Sequence, residues 1–328
     1  MTRRTFLALA AAPLSAAPRA SMGLATTCFM TARRPKDARE FLDYAHSLGA
    51  GGIQASLPSL DLKYASDLRR RAEELGMYIE VMAELPRAGT ETFERTVIAA
   101  REAGALCIRT VAPGPRRYEA FPTLDAWKRA AADSEAALVR ALPIAEKHRM
   151  PLAVENHRDR TLEEWLELLG RYSSEYLGVC LDTGNNVALL DDPLEVVRRL
   201  TPYAVSTHVK DMGVEEYPDG FLLTEVPLGD GVLDLKQMVY VIGKARPKTK
   251  FSLEMITRDP TPVPWLTEKY WTTMPSRDAR ELARTLAMVR AAKTRLPRPG
   301  TLDRAALLRL EEDNVRRCLS FAREQLGL

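Results

Sequence analysis

Leu152-Ala153-Val154-Glu155, Gly178-Val179-Cys180-Leu181-Asp182 and Ala204-Val205-Ser206-Thr207-His208 are three short apolar runs within residues 150–211, and each ends in a side chain able to ligate a metal. Phe251-Ser252-Leu253-Glu254 repeats the pattern farther on. Short apolar runs of this kind read as buried parallel strands. Because side chains alternate faces along a strand, Glu155 shares its face with Ala153, Asp182 with Cys180, His208 with Ser206 and Glu254 with Ser252. Every polar end therefore stands above a small residue. The opposite face carries Val154, Leu181, Val209 and Leu253, bulky and apolar as expected where helices cover a sheet. If the four runs share one barrel, two Glu, one Asp and one His converge at the carboxyl ends of its strands, where such barrels place their chemistry.

The rest of the chain supplies the other parts of that barrel. Residues 22–29, 53–57, 77–85 and 106–112 read as the first four strands, separated by helices over 37–48, 64–75 and 91–103 that stop at Gly49, Gly76 and Gly104. A glycine closing each helix just before the next apolar run is the punctuation of repeated βα units. A long helix over 124–148, containing Pro143, leads to strands that begin near Met150, Leu177, Tyr203 and Lys250, with helices over 162–172, 193–200 and 233–243 between them. The pattern predicts an α/β protein, a (β/α)8 TIM barrel over 22–295 with a C-terminal helical extension over 296–328. Residues 213–231 read as a long loop, with Gly229-Asp230-Gly231 as a turn. The stretch from Arg258 is rich in Pro and aromatics, and should pass near the pocket mouth because it follows Glu254 directly.

Composition narrows the class. The 328 residues are 46% hydrophobic and 28% charged, as in an ordinary soluble globular protein, and 47 Lys plus Arg against 44 Asp plus Glu leave a net charge of +3. That balance, with no dense basic stripe, gives no nucleic-acid footprint. Cys28, Cys107, Cys180 and Cys318 lack any CxxC spacing and read as buried free thiols. Thr2-Arg3-Arg4-Thr5-Phe6-Leu7 resembles a twin-arginine signal, followed by an apolar segment over 6–17 that is too short to be a stable membrane anchor. Residues 1–20 are therefore expected to direct export, with a frayed start on a cytoplasmic protein as the alternative.

Three carboxylates and one imidazole form a donor set that suits one divalent metal ion, Mn, Mg, Co or Zn. Such an ion polarises a carbonyl and its neighbouring hydroxyl and eases removal of the proton between them. Val154-Glu155-Asn156-His157, Leu181-Asp182-Thr183-Gly184-Asn185, Thr207-His208-Val209-Lys210-Asp211 and Ser252-Leu253-Glu254 together resemble the metal-site motifs of the xylose isomerase-like superfamily of sugar isomerases and epimerases. The resemblance covers most of residues 22–295. It implies a metal held by Glu155, Asp182, His208 and Glu254, with Glu155 and Glu254 as the catalytic pair that exchange protons with a substrate carbon. Ketose 3-epimerases of that superfamily carry a His three residues after the Asp and an Arg six residues after the metal His; here those positions hold Asn185 and Val214. Lys210-Asp211 instead resembles the His-x-Lys-Asp signature of inosose and related keto-sugar members, dehydratases among them.

Further polar residues have two readings each. His157 either donates a proton to a substrate oxygen or orients Glu155, and Lys210 either stabilises an oxyanion or forms a salt bridge. Asn185, Glu84 and Trp265 are candidate substrate contacts. For Glu84 the alternative is a solvated loop charge; for Trp265, with Tyr270 and Trp271, it is packing of the tail on the barrel. Arg109 and Glu80 share inward parity on adjacent strands and read as a buried ion pair. His46 and His148 fall on helices as surface residues. The expected function is a metal-dependent enzyme that isomerises or epimerises a free sugar, keto-sugar or cyclitol, with a dehydratase or other lyase second and a non-catalytic sugar-binding protein third. An endonuclease IV-like phosphodiesterase needs more histidines than His157 and His208 near its metals. Its partner is a small carbohydrate, and the oligomeric state is left open.

Overall fold

Eight parallel strands close on one another in the computed structural model, which describes residues 21–31, 33–274, 276–292 and 295–328. The twin-arginine-like start lies outside the described residues. The barrel strands are β1 (Gly23–Ala25), β2 (Gly52–Ala55), β3 (Tyr78–Met82), β4 (Ile108–Val111), β5 (Leu152–Glu155), β6 (Leu177–Asp182) and β7 (Ala204–Val209). Two further strands, β8 (Asp211–Tyr217) and β9 (Gly220–Val226), intervene before β10 (Ser252–Leu253) joins β7 to β1 and closes the ring. Helices wrap it between the strands, as the (β/α)8 expectation requires.

Local chemistry explains the boundaries. Asp37, Thr123, Asp192 and Asp234 each accept a backbone N–H at the start of a helix, and Thr161 forms a capping box with Glu164. Gly76 ends the helix Leu62–Leu75 at φ 61°, a left-handed conformation that glycine adopts without a Cβ clash. Val154, Leu181, Val209 and Leu253 face the helices in the main core, whereas Cys107, Ala153 and Cys180 form a separate small cluster. All four cysteines are free and buried.

Three expectations are corrected. Residues 213–226 are not a loop: β8 and β9 form an antiparallel hairpin, with Asp211 opposite Val226 and Tyr217 opposite Gly220, and only 227–231, with Gly229-Asp230-Gly231, stay turn as expected. In the tail, β11 (Thr261–Val263) adds to the same sheet by pairing with β9. The run at 22–29 stays extended only to Ala25 and then winds into a 3-10 turn over Thr26–Phe29, because its partner β10 is two residues long and offers no ladder to continue. His46 and His148 are half-buried, and His148 Nε2 lies 2.8 Å from Glu94 Oε1.

The C-terminal extension is docked. Helix Arg304–Phe321 holds Glu311 against the Thr31 backbone N–H (2.8 Å) and Asn314 against Thr257 Oγ1 (3.0 Å). Among the described residues, no helix is long and apolar enough to cross a membrane.

Candidate metal centre

Glu155, Asp182 and His208 end β5, β6 and β7 or stand one residue from the end, and Glu254 follows β10 directly. These are four consecutive strands of the closed sheet, and register sets Asp182 opposite His208 and His208 opposite Ser252. All four side chains are buried, and one donor atom from each lies within 4.8 Å of the others. His208 Nδ1 is 3.4 Å from Glu155 Oε2, 3.5 Å from Glu254 Oε1 and 3.8 Å from Asp182 Oδ2.

Orphaned atoms test whether a cation fits there. Glu155 Oε2, Asp182 Oδ2 and His208 Nδ1 are buried without a hydrogen-bond partner; the two carboxylate oxygens face Arg109 and Lys210 as ion pairs, and the Nδ1 lone pair faces no donor, an arrangement that a cation among them would complete. Every other acceptor in the set is occupied. Asp182 Oδ1 accepts the N–H groups of Gly184 (2.8 Å) and Asn185 (2.7 Å), and Glu155 Oε1 accepts Asn185 Nδ2 (2.9 Å). His208 Nε2 lies 2.6 Å from Gln54 Oε1, while the Gln54 amide nitrogen donates to Glu80 Oε2 at 2.9 Å. With that nitrogen turned to Glu80, the oxygen must accept from His208, so Nε2 carries the hydrogen and Nδ1 the lone pair. Burial, assisted by Arg109 and Lys210, pushes the imidazole down to about 4, so it is neutral and ligand-competent at pH 7. Three hard oxygens and one imidazole suit a divalent ion.

Cations surround the carboxylates. Lys210 Nζ pairs with Glu254 Oε2 and, at 2.8 Å, with Asp182 Oδ2. Burial alone would lower the ammonium's affinity for its proton, but Asp182, Glu254 and Glu225 raise it above the ordinary lysine value. For Glu254, burial raises and His208, Lys210 and Arg109 lower, with the lowering dominant. Since His208 is neutral at pH 7, Lys210 and then Arg109 are the cations that keep Glu254 ionised there. The Thr27 hydroxyl donates to Glu254 Oε1 at 3.1 Å.

The predicted substrate contacts separate into two groups. Asn185 bridges Glu155 and Lys210, with its Oδ1 3.4 Å from Nζ. His157 is half-buried with Nδ1 unpartnered, and burial with Arg158 and Lys210 pushes it down to about 3, leaving it neutral. Glu84 is exposed in a surface hollow with Ser56, Leu57 and Pro86. Trp265 is half-buried against Gly220 at the hairpin turn, and its carbonyl accepts Trp271 Nε1 at 2.7 Å. Tyr270 is buried with its hydroxyl on the Ala188 carbonyl (2.9 Å). Neither Glu84 nor Trp265 makes a described hydrogen bond to the four ligands.

The expected Arg109–Glu80 pair does not form. Register sets Arg109 opposite Met82, one inward layer above Glu80, so the guanidinium pairs with Glu155 Oε2 instead. Glu80 accepts from Gln54, from Ser206 Oγ at 2.7 Å and from Ser252 Oγ at 3.3 Å. Other contributors were missed by sequence reasoning. Asn156 clamps the Asp182 backbone, donating to its carbonyl (2.9 Å) and accepting its N–H (2.7 Å). Glu225, on the unforeseen hairpin, pairs with Arg158 (3.4 Å) and Arg258 (2.6 Å) and lies 4.0 Å from Lys210.

A closed barrel with this donor set at the carboxyl ends of its strands is matched by a family profile over residues 42–286, described as Xylose isomerase-like TIM barrel. The chain belongs to that family. Among curated family relatives, 3-oxo-isoapionate decarboxylase of Pectobacterium atrosepticum is 28% identical over 225 residues, 65% of this chain and 78% of the relative. A D-psicose 3-epimerase structure determined in the presence of D-fructose superposes with a TM-score of 0.59 at 14% identity, over 94% of this chain and 99% of that one. The IOLI protein with a bound zinc atom gives 0.55 at 16% identity, over 84% and 99%. At these identities the two structures speak for the fold.

Proposed function

We propose that this protein is a divalent-metal-dependent enzyme that removes a proton from the carbon beside a carbonyl, isomerising or epimerising a free sugar, keto-sugar or cyclitol. The observation that carries the reading is the convergence of one donor atom each from Glu155, Asp182, His208 and Glu254 in a buried cluster, with the His208 Nδ1 lone pair unpartnered and Lys210 beside it. Glu155, Asp182, His208 and Glu254 would hold the ion, which supplies Lewis-acid polarisation of a carbonyl and its adjacent hydroxyl. Glu254, kept ionised by Lys210, is suited to take the proton, and Glu155, with Oε1 fixed by Asn185, to return one on the other side. The Lys210 ammonium also stands ready for negative charge developing on substrate oxygen. Neutral His157, with a free Nδ1, can exchange a proton with a hydroxyl. Burial of the four ligands excludes bulk water and strengthens each of these interactions.

A lyase is the second reading, favoured by Asn185 and Val214 at the two positions where ketose 3-epimerases differ, and by the decarboxylase relative. Loss of carbon dioxide or water beside a carbonyl builds charge on the same oxygen. The test is incubation of metal-reconstituted protein with ketoses, keto-sugars and inososes in D2O. Deuterium should enter at the carbon beside the carbonyl, and Glu254→Gln should cut turnover by at least about a hundredfold. Turnover without deuterium entry overturns the proton-transfer mechanism, and release of carbon dioxide or water selects the lyase.

A further inference from the structure

We propose that the substrate carries a carboxylate and that Arg109 is the residue that receives it. This rests on the metal-dependent reading above and narrows its substrate class from sugars at large to oxo sugar acids.

Arg109 rises from β4 into the barrel and is 9% exposed. Among the described residues its ion-pair partner is Glu155, through Oε2, and its Nε is buried with no hydrogen-bond partner. Glu155 Oε2 is also the oxygen turned toward the orphaned cluster, 3.4 Å from His208 Nδ1, while Oε1 is taken by Asn185. The guanidinium and a central divalent ion thus address the same oxygen. A doubly charged ion with three further donors has the stronger claim, which leaves Arg109 a nearly buried cation without its counter-charge. That state is expensive.

The neighbouring cations do not share the problem. Lys210 would share Asp182 Oδ2 with the ion but keeps Glu254 Oε2, Arg158 keeps Glu225 and the Thr261 hydroxyl (2.8 Å), and Arg258 keeps Glu225. Glu80 cannot replace Glu155, because it sits a layer lower and is held by Gln54, Ser206 and Ser252. Near Arg109, His157 also feels Arg158 and Lys210, so several cations border this part of the site. A planar guanidinium with a free Nε–H matches a carboxylate in a two-pronged hydrogen bond, a geometry that a hydroxyl cannot return.

The test uses two ligands with one carbon skeleton, 2-oxo-D-gluconate and D-fructose, which differ in a carboxylate for a hydroxymethyl group. Titration calorimetry on the Mn-loaded full chain should give at least about tenfold tighter binding of the acid. In Arg109→Met that preference should collapse, with metal content by elemental analysis unchanged and fructose affinity retained. Equal affinities, a preference that survives Arg109→Met, or binding of neither ligand overturns the inference. A protein that holds one metal and binds fructose but not the acid leaves the proposed function standing and removes only the carboxylate; one that takes up no metal overturns both.

Discussion

Gln54 controls a hydrogen that the metal site needs in one place. Its oxygen accepts from His208 Nε2, and its nitrogen is committed to Glu80, so the amide cannot flip without facing the carboxylate with its own oxygen. Removing such an outer partner costs roughly 10- to 100-fold in metal affinity. Gln54→Leu should therefore weaken Mn binding by that factor in calorimetry with the barrel intact by circular dichroism; unchanged affinity would show that the ring is fixed by other means. The four ligands themselves were legible because each closes an apolar run with period-two parity, which a strand translates directly into a common face. Gln54 lies inside Ile53-Gln54-Ala55 with no such terminus, and parity alone did not mark it. Parity also paired Arg109 with Glu80, since two inward residues on neighbouring strands look adjacent until the register, Met82 opposite Arg109, sets their heights.

At the scale of elements, the β8–β9 hairpin supplies Glu225 to a buried cluster with Arg158 and Arg258. Burial would raise the Glu225 carboxyl, but Arg258, Lys210 and Arg158 hold it below its ordinary 4.5. Breaking a buried pair strands the partner, here a fully buried Arg158, at a cost of roughly 3 kcal/mol. Glu225→Gln should lower the thermal midpoint by several degrees at pH 7, followed by circular dichroism. The sign with pH follows from the depressed carboxyl: its stabilisation is full above about 4.5 and is lost as pH falls through the lower folded value, so the gap between wild type and variant should narrow in acid. An unchanged midpoint at pH 7 would show that the cluster does not brace the hairpin. The sequence carried a hairpin signal, Pro218-Asp219-Gly220 between Val214-Glu215-Glu216-Tyr217 and Phe221-Leu222-Leu223-Thr224. Regular βα alternation elsewhere led to a loop assignment, because an antiparallel excursion between two parallel strands lies outside that rhythm.

Over the whole molecule, closure is what turns four motifs spread over residues 155–254 into one site, since β5, β6, β7 and β10 are consecutive around the ring. The eight strands were legible from glycine-stopped helices, but the docking of the last helix on Thr31 and Thr257 depends on side chains more than two hundred residues apart in one case, which no local pattern carries. The same closure makes the metal a fastener of the entire sheet. A cation at the site would join residues 155 to 254 across four strands, and through Thr27 it would reach β1 and the first 3-10 turn. Without it, Arg109 and Lys210 offset part of the charge of the three carboxylates, but the imidazole nitrogen stays unsatisfied and the ligation is lost. At a free concentration about a hundred times its dissociation constant, an ion that binds only the folded state adds ~2.7 kcal/mol. Chelation should accordingly lower the thermal midpoint of the whole chain, and one equivalent of Mn should restore it as a single cooperative transition in calorimetry. A midpoint indifferent to Mn would show that the four side chains do not grip an ion, whereas a split transition would show that they brace only their own half of the ring.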